Sequence, residues 1–320
     1  APNVRTEAGF QVWVWCASLA MGLGVPATFS MAVDFVPVRW RGLAAALITA
    51  LAYFLAAAGT PDWRVDVFAE NFLVVMLFGA LALGALAFLP LPFLDRLARQ
   101  HLQPNFGVGR FVRPGERATV RRIITLVALM FGIYFIDSLG FLRIIDTPLY
   151  VNTAWQSPQS GVRLLIAGTH VLTALIGGVL YDGLEQRGLF FWVFGIFGLV
   201  HMMYTFHNRF TPAFAPSLFI PILYATAVSL YTVINFAVWV DLSTADTIPF
   251  ISAIGVAFSG WVATFISTSL AIHWQIGGMT IGEHLRIVDA LAIVFLLLTI
   301  LIVYLTPPSR ARASRQGHAA

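Results

Sequence analysis

The sequence predicts an all-α membrane protein of about nine transmembrane helices. It is 59% hydrophobic and only 11% charged, whereas a soluble domain is about half apolar and about a quarter charged. Apolar runs recur along the chain, and each comes close to the roughly 20 residues that a helix needs to cross a bilayer. Each run must be helical, because a lone strand in lipid would leave its backbone N–H and C=O groups unpaired.

Proline, glycine or charged residues bound the apolar runs, as expected at the ends of hydrophobic helices. Taken in order along the chain, one bounding residue for each run is Pro37, Pro61, Asp95, Arg122, Asp182, Gly188, Asp241, Pro249 and Pro307. The predicted helices therefore span residues 9–35, 42–59, 71–94, 123–145, 162–181, 189–206, 215–241, 249–273 and 287–306.

One connector is much longer than the others and divides the chain. Residues 95–122 are polar, rich in arginine and contain proline and glycine, so they predict a surface linker. We expect a first bundle of three helices in residues 1–94 and a second bundle of six helices in residues 123–306. Residues 307–320 then form a polar tail.

The distribution of arginine predicts the orientation in the membrane. Every basic residue is an arginine, and with the first helix running inward 13 lie on one side and 6 on the other. The positive-inside rule therefore predicts a multi-pass protein of the cytoplasmic (inner) membrane, with the 95–122 linker and the C-terminus in the cytoplasm. The charge lies in short loops and the tail, so it indicates a lipid bilayer as the surroundings and no nucleic-acid partner.

A short internal repeat is present. Residues 33–35 and 240–242 each close a long helix with Val-Asp followed by an apolar residue, and both lie on the predicted cytoplasmic side. The same orientation in both copies indicates a parallel repeat about an axis along the membrane normal. Such repeats are typical of secondary transporters.

Two stretches, together with the Arg-rich linker, resemble the major facilitator superfamily. Residues 22–42, GLGVPATFSMAVDFVPVRWRG, resemble the fourth helix of that family and its cytoplasmic exit. Residues 178–187, GVLYDGLEQR, resemble its loop signature G-x-L-x-D-R-x-G-R-R, with matches at Gly178, Leu180, Asp182 and Arg187 and departures at Gly183 and Glu185.

The resemblance implies a two-bundle architecture and a function. The nine helices would correspond to helices four to twelve of a twelve-helix fold, and the polar start APNVRTEAG fits a chain without the first three. We therefore expect an incomplete N-terminal bundle. The implied function is secondary active transport of a small solute by alternating access, with a proton or another ion as the candidate coupling partner.

Other functions remain as alternatives. Ser18 stands where proton-linked family members often carry an arginine, and residues 56–61 lack the G-P-x-x-G-G run of drug antiporters, which counts against a drug/proton antiporter. A non-transporting member of the fold, such as an assembly factor, a sensor or a truncated remnant, is the second interpretation. An enzyme is not expected, because no nucleophile is paired with a base, and we predict no cofactor and no metal.

Asp137 is the leading candidate for chemistry, because charges inside a bilayer are costly and usually face a cavity. It lies about 22 Å along its helix from Arg122, and His170 lies about 18 Å from Asp182 on the next, antiparallel helix. The two side chains are therefore expected at similar depth, where they could bind a proton or a polar substrate group. The alternative is that Asp137 only pairs with Ser138 or a neighbouring helix and His170 is a hydrogen-bonded core residue.

Four further residues are weaker candidates near the same site. Tyr231 and Asn235 are four residues apart on one helix and form a polar stripe, which favours cavity lining and interhelical hydrogen bonding about equally. Arg143 and Arg163 lie toward the outer ends of their helices, where they bind an anion or extend to the headgroups.

A second group of residues is expected at the cytoplasmic ends of the helices. The resemblance implies that Asp182, Arg187 and Asp241 form a charge cluster with Gly178 nearby, and that this gate helps to hold one conformation closed. Asp182 is also expected to face the N-terminus of the helix that starts near residue 42, where the helix dipole favours an anion. Asp34 occupies the position equivalent to Asp241, and we expect it to lack the same partner.

Overall fold

The computed structural model describes residues 6–58, 118–183 and 186–305, together with isolated helical positions between residues 77 and 96. Within these ranges the chain is helical and contains no strand. The principal elements are α1 (Glu7–Phe35), α2 (Arg41–Ala58), α3 (Val120–Ile145), α4 (Pro148–Val151), α5 (Ser160–Gly183), α6 (Gln186–Phe210), α7 (Phe219–Asp241), α8 (Ile248–Ile254), α9 (Ala263–Ile276) and α10 (Ile281–Leu305).

Eight helical spans in the described ranges are long and apolar enough to cross a membrane, so the predicted all-α membrane fold is confirmed. One of them, Ile248–Ile276, joins α8 to α9 through a π-helical segment at Gly255–Val262. The predicted 71–94 helix, most of the 95–122 linker and the 307–320 tail lie outside the described residues.

Two helices begin at other residues than predicted, because of the residues at their N-terminal ends. The seventh predicted helix begins at Phe219 instead of residue 215, because Pro216 disfavours a helical residue before it, and the Phe219 amide hydrogen-bonds to Ser217 Oγ. The last helix begins at Ile281 instead of residue 287. Thr280 and Glu283 exchange side-chain-to-backbone hydrogen bonds there, and this capping box stabilises a start ahead of the apolar run.

Helix α7 is the central element of the described structure. It packs against α1, α2, α5 and α6, and 72% of its membrane-crossing window is buried, compared with 11% for α1. Polar side chains on α7 therefore meet protein rather than lipid. Around it, α10 packs on α6 and α3, and α9 packs on α3.

Helices α2 and α5 cross in close contact at Gly42 and Gly178. A Cβ atom added to Gly178 would lie 2.6 Å from the Gly42 carbonyl oxygen and 2.6 Å from Ala46 Cβ. Real Cβ atoms do not approach a backbone that closely, so glycine allows the two helices to touch. Gly178, expected near the gate, is thus part of the contact between α2 and α5.

We predict that Gly178→Ala destabilises the protein by about 1–3 kcal/mol, because the added methyl group overpacks a contact made by backbone atoms. The control is Gly168→Ala on the same helix, where a Cβ would meet nothing within 4 Å and helix propensity favours alanine by up to about 1 kcal/mol. Thermal unfolding of the purified variants should rank Gly168→Ala at or above the wild type and Gly178→Ala clearly below it. Equal melting temperatures for the two variants would contradict the close crossing.

Candidate functional site

A cavity of about 230 Å³ lies among the membrane-spanning helices. Helices α2, α3, α5, α6 and α7 form its walls, and the connector that follows α4 also contributes. Most of its lining is aromatic or aliphatic. The lining residues are Tyr53, Asp137, Phe141, Ile144, Ala154, Trp155, Ile166, His170, Tyr204, Pro221, Tyr224, Ala225, Val228 and Tyr231.

Asp137 is held in this cavity by two tyrosines of α7. The Tyr224 hydroxyl donates to Asp137 Oδ1 at 2.5 Å, and the Tyr231 hydroxyl donates to Oδ2 at 2.5 Å. Hydroxyl-to-carboxylate bonds of this length are in the charge-assisted range. Within the described residues Asp137 has no ion-pair partner. Its carboxyl group is therefore fixed in position, with neutral donors in place of a cation.

His170 lines the same cavity from α5. Its Nδ1 is 2.8 Å from Ser229 Oγ, and its ring stacks on Tyr53 with 4.5 Å between centroids. The structure therefore places Asp137 and His170 around one cavity, as their predicted depths require. His170 is also a hydrogen-bonded, buried residue, as the alternative interpretation had it.

Of the weaker candidates, the structure brings only Tyr231 to the cavity. Asn235 is buried, and its Oδ1 accepts a hydrogen bond from Trp239 Nε1 at 3.0 Å. Arg143 Nη2 donates to the Met279 carbonyl oxygen at 3.4 Å, beyond the end of α9. The structure therefore does not place Asn235 and Arg143 in the cavity lining with Asp137 and His170.

The connector of residues 152–159 covers one end of the cavity, which we call the connector face. Arg163 Nη1 donates to the carbonyl oxygens of Ser157 at 2.8 Å and Pro158 at 3.1 Å. These bonds anchor the connector that carries Trp155 into the cavity lining. Arg163 is thus engaged by carbonyl groups, rather than by lipid headgroups as one alternative had it. Burial also raises the pKa of the nearby Tyr150 hydroxyl to about 12, so it stays protonated at neutral pH.

About three turns along α7 beyond the cavity, a buried salt bridge joins helix ends at what we call the ion-pair face. Arg41 Nη1 lies 2.8 Å from Asp241 Oδ1, and the two side chains are 3% and 0% exposed. The Tyr181 hydroxyl donates to Asp241 Oδ2 at 3.0 Å. The start of α2, the end of α5 and the end of α7 therefore meet around one carboxylate.

The structure adds one partner to the expected gate cluster and supports the expected place of Asp182. Asp241 pairs with Arg41, which sequence reasoning did not include, while the side chains of Arg187 and Asp34 lie outside the described residues. Asp182 accepts hydrogen bonds from the backbone amides of Gly42 at 3.0 Å and Leu43 at 3.1 Å. The prediction that Asp182 faces the N-terminus of this helix is confirmed, and its charge there is favoured by the helix dipole.

Several cavity residues were not among the sequence-based candidates. The spacing of one of them along its helix could have identified it. Tyr224 lies seven residues before Tyr231 on α7, which places both on one helix face. Tyr53, Trp155 and Tyr204 come from separate segments, and their position around the cavity depends on tertiary packing.

Comparison with known proteins leaves the site without a characterised relative. No protein-family model matches the chain, and no curated protein or solved structure matches it at a significant level. Function therefore has to be inferred from the cavity, its carboxylate and the ion pair at the opposite face.

Proposed function

We propose that this protein is a secondary active transporter that moves a small solute across the membrane by alternating access. The observation that carries the proposal is Asp137, a carboxylate placed in a cavity within the membrane-spanning bundle and held there by two tyrosine hydroxyls. An ionisable residue in a membrane span is expensive and marks a solute or ion pathway by default. A proton or another ion bound at Asp137 is the proposed means of coupling.

The contacts on either side of the cavity along α7 support this mechanism. Arg41 and Asp241 close the ion-pair face, while the connector with Trp155 covers the other face. Alternating access requires each closure to open in turn. The buried salt bridge joins the start of one helix to the end of another. Forming or breaking it changes the free-energy difference between the two conformations of the transport cycle, so it can favour one of them.

A major-facilitator-like arrangement is part of the proposal. It is supported by Asp182 bound at the N-terminus of α2 and by the close contact of α2 with α5. We assign the ion-pair face to the cytoplasm of the inner membrane, because the sequence predicts that 13 of the 19 arginines fall on that side. The C-terminus lies on the same side in this orientation.

A cysteine reporter in the cavity tests the proposal without knowledge of the solute. Val228 lines the cavity between Tyr224 and Tyr231, and the chain has a single cysteine to remove, Cys16. In a Cys16→Ser background, we expect Val228→Cys to react with a membrane-impermeant thiol reagent added to either side of oriented vesicles.

Ser160→Cys at the start of α5 is the matched control. It should react only from the outer side, which also checks the assigned orientation. Reaction of the Val228→Cys reporter from one side under every condition would overturn alternating access and favour a non-transporting protein of this fold.

A further inference from the structure

We infer that the cavity binds a small organic monocation with an apolar, aromatic-sized body, such as an arylalkylammonium ion. This inference rests on the proposed function, since it names the solute class of the same site. It comes from three properties of the cavity: its charge, its free hydrogen-bonding positions and its walls.

The charge of the lining excludes an anionic solute. Among the lining residues that the structure describes, Asp137 is the only acidic or arginine residue, and the chain contains no lysine. Arg143 on α3 and Arg163 on α5 donate to backbone carbonyl groups and do not line the cavity. An anion would meet a carboxylate with no arginine to offset the repulsion, whereas a cation would meet its counter-charge in a site of low dielectric constant.

The hydrogen bonds already made by Asp137 leave positions for an ammonium group. An ionised carboxylate accepts about four hydrogen bonds through its two oxygens. Tyr224 and Tyr231 occupy one position on each oxygen. The remaining positions suit the N–H groups of a primary or secondary amine. The two tyrosines hold the carboxylate in position before the solute binds.

The walls select an apolar body over a hydroxyl-rich one. Tyr53, Phe141, Trp155 and Tyr204 bring aromatic rings to the lining in addition to the two tyrosines bound to Asp137. Such rings attract cations through their faces, and tyrosine and tryptophan do so best. A sugar would need many polar partners, but the hydroxyl of Tyr53 already bonds to Thr232.

The volume limits the solute to a small molecule. The cavity of about 230 Å³ lies below the ~300–1,000 Å³ of sites for drug-sized ligands. It equals the liquid volume of roughly eight water molecules, which leaves room for one aromatic ring and a short amine chain.

Three probes with the same ring test the inference on the purified wild-type protein. Binding of tritiated 2-phenylethylamine is measured by scintillation proximity and competed with unlabelled 2-phenylethylamine, 2-phenylethanol or phenylacetate. We expect the amine to compete, the alcohol to compete at least about tenfold more weakly, because it lacks the charge that pairs with Asp137, and phenylacetate not to compete.

Two aspartate variants locate the binding. Asp137→Asn should lower the affinity for the amine at least about tenfold, whereas Asp289→Asn should leave it unchanged, because Asp289 lies in the span of α10 but not in the cavity lining. Absence of amine binding at millimolar concentration, equal competition by phenylacetate, or equal losses in the two variants would each overturn the inference.

The outcome is separable from that of the proposed function. Amine binding without two-sided reactivity of Val228→Cys would support the solute class and overturn transport. Two-sided reactivity with competition by phenylacetate would support transport and overturn the solute class.

Discussion

Replacing Asp137 by asparagine is expected to abolish solute uptake or to uncouple it, while the protein still inserts and folds. Asparagine keeps the shape of the side chain and accepts through its one oxygen, so one of Tyr224 and Tyr231 keeps its acceptor while the other faces the amide NH2 group. It removes the charge, and loss of a charged partner in a desolvated site costs about 2–5 kcal/mol. Since 1.4 kcal/mol is a factor of ten, the uptake rate should fall at least about tenfold.

The measurement is uptake of a defined metabolite mixture into proteoliposomes, with the contents identified by mass spectrometry. Asp289→Asn is the control, because it removes a carboxylate from a membrane span without touching the cavity. Its uptake should match that of the wild type. Wild-type uptake by the Asp137→Asn variant would remove Asp137 from the site.

The second large effect is expected at the ion-pair face. Arg41→Ala should destabilise the protein by about 3–5 kcal/mol, because it leaves Asp241 as a buried charge without this arginine. Asp241 is fully buried, so water cannot replace the lost partner. Thermal unfolding in detergent measures the loss as a lower melting temperature.

A double variant separates stability from gating. Arg41→Met with Asp241→Leu replaces the pair by apolar side chains of similar volume, a change that is often neutral or stabilising for buried ion pairs. Its melting temperature should return toward that of the wild type, while the Val228→Cys reporter reacts faster from the cytoplasmic side. A wild-type melting temperature for Arg41→Ala alone would show that the pair does not stabilise this conformation.

The membrane-crossing helices were predictable because the length of each apolar run, and the residues that bound it, identify a helix without reference to the rest of the chain. Run length and the bounding residues located all eight described spans to within several residues. The largest deviation, at the start of α10, comes from polar residues around Glu283 that fall outside an apolar run. The π-helical turn at Gly255–Val262 was not predictable, since Gly255 packs against the Trp239 ring through tertiary contact.

The site was predictable in part. Asp137 stood out because a carboxylate in a long apolar run has few explanations other than a cavity. The partner of Asp241 was assigned incompletely, because the crossing of α2 at Gly42 that brings Arg41 beside α7 depends on small residues in separate helices. Asn235 lies on the same face of α7 as Tyr231, but its side-chain oxygen accepts a hydrogen bond from Trp239, one turn further along the helix.

The two tyrosine bonds to Asp137 also have a mechanical consequence. Tyr224 and Tyr231 are two turns apart on α7 and both bind one carboxyl group on α3, so rotation or sliding of α7 against α3 would break both bonds together. The two bonds therefore resist movement of α7 against α3. Across the cavity, α2 is held to α7 at two places: Tyr53 hydrogen-bonds to Thr232 beside the cavity, and Arg41 pairs with Asp241 at the ion-pair face. Breaking the Tyr53 contact alone therefore leaves α2 tied to α7 at its far end.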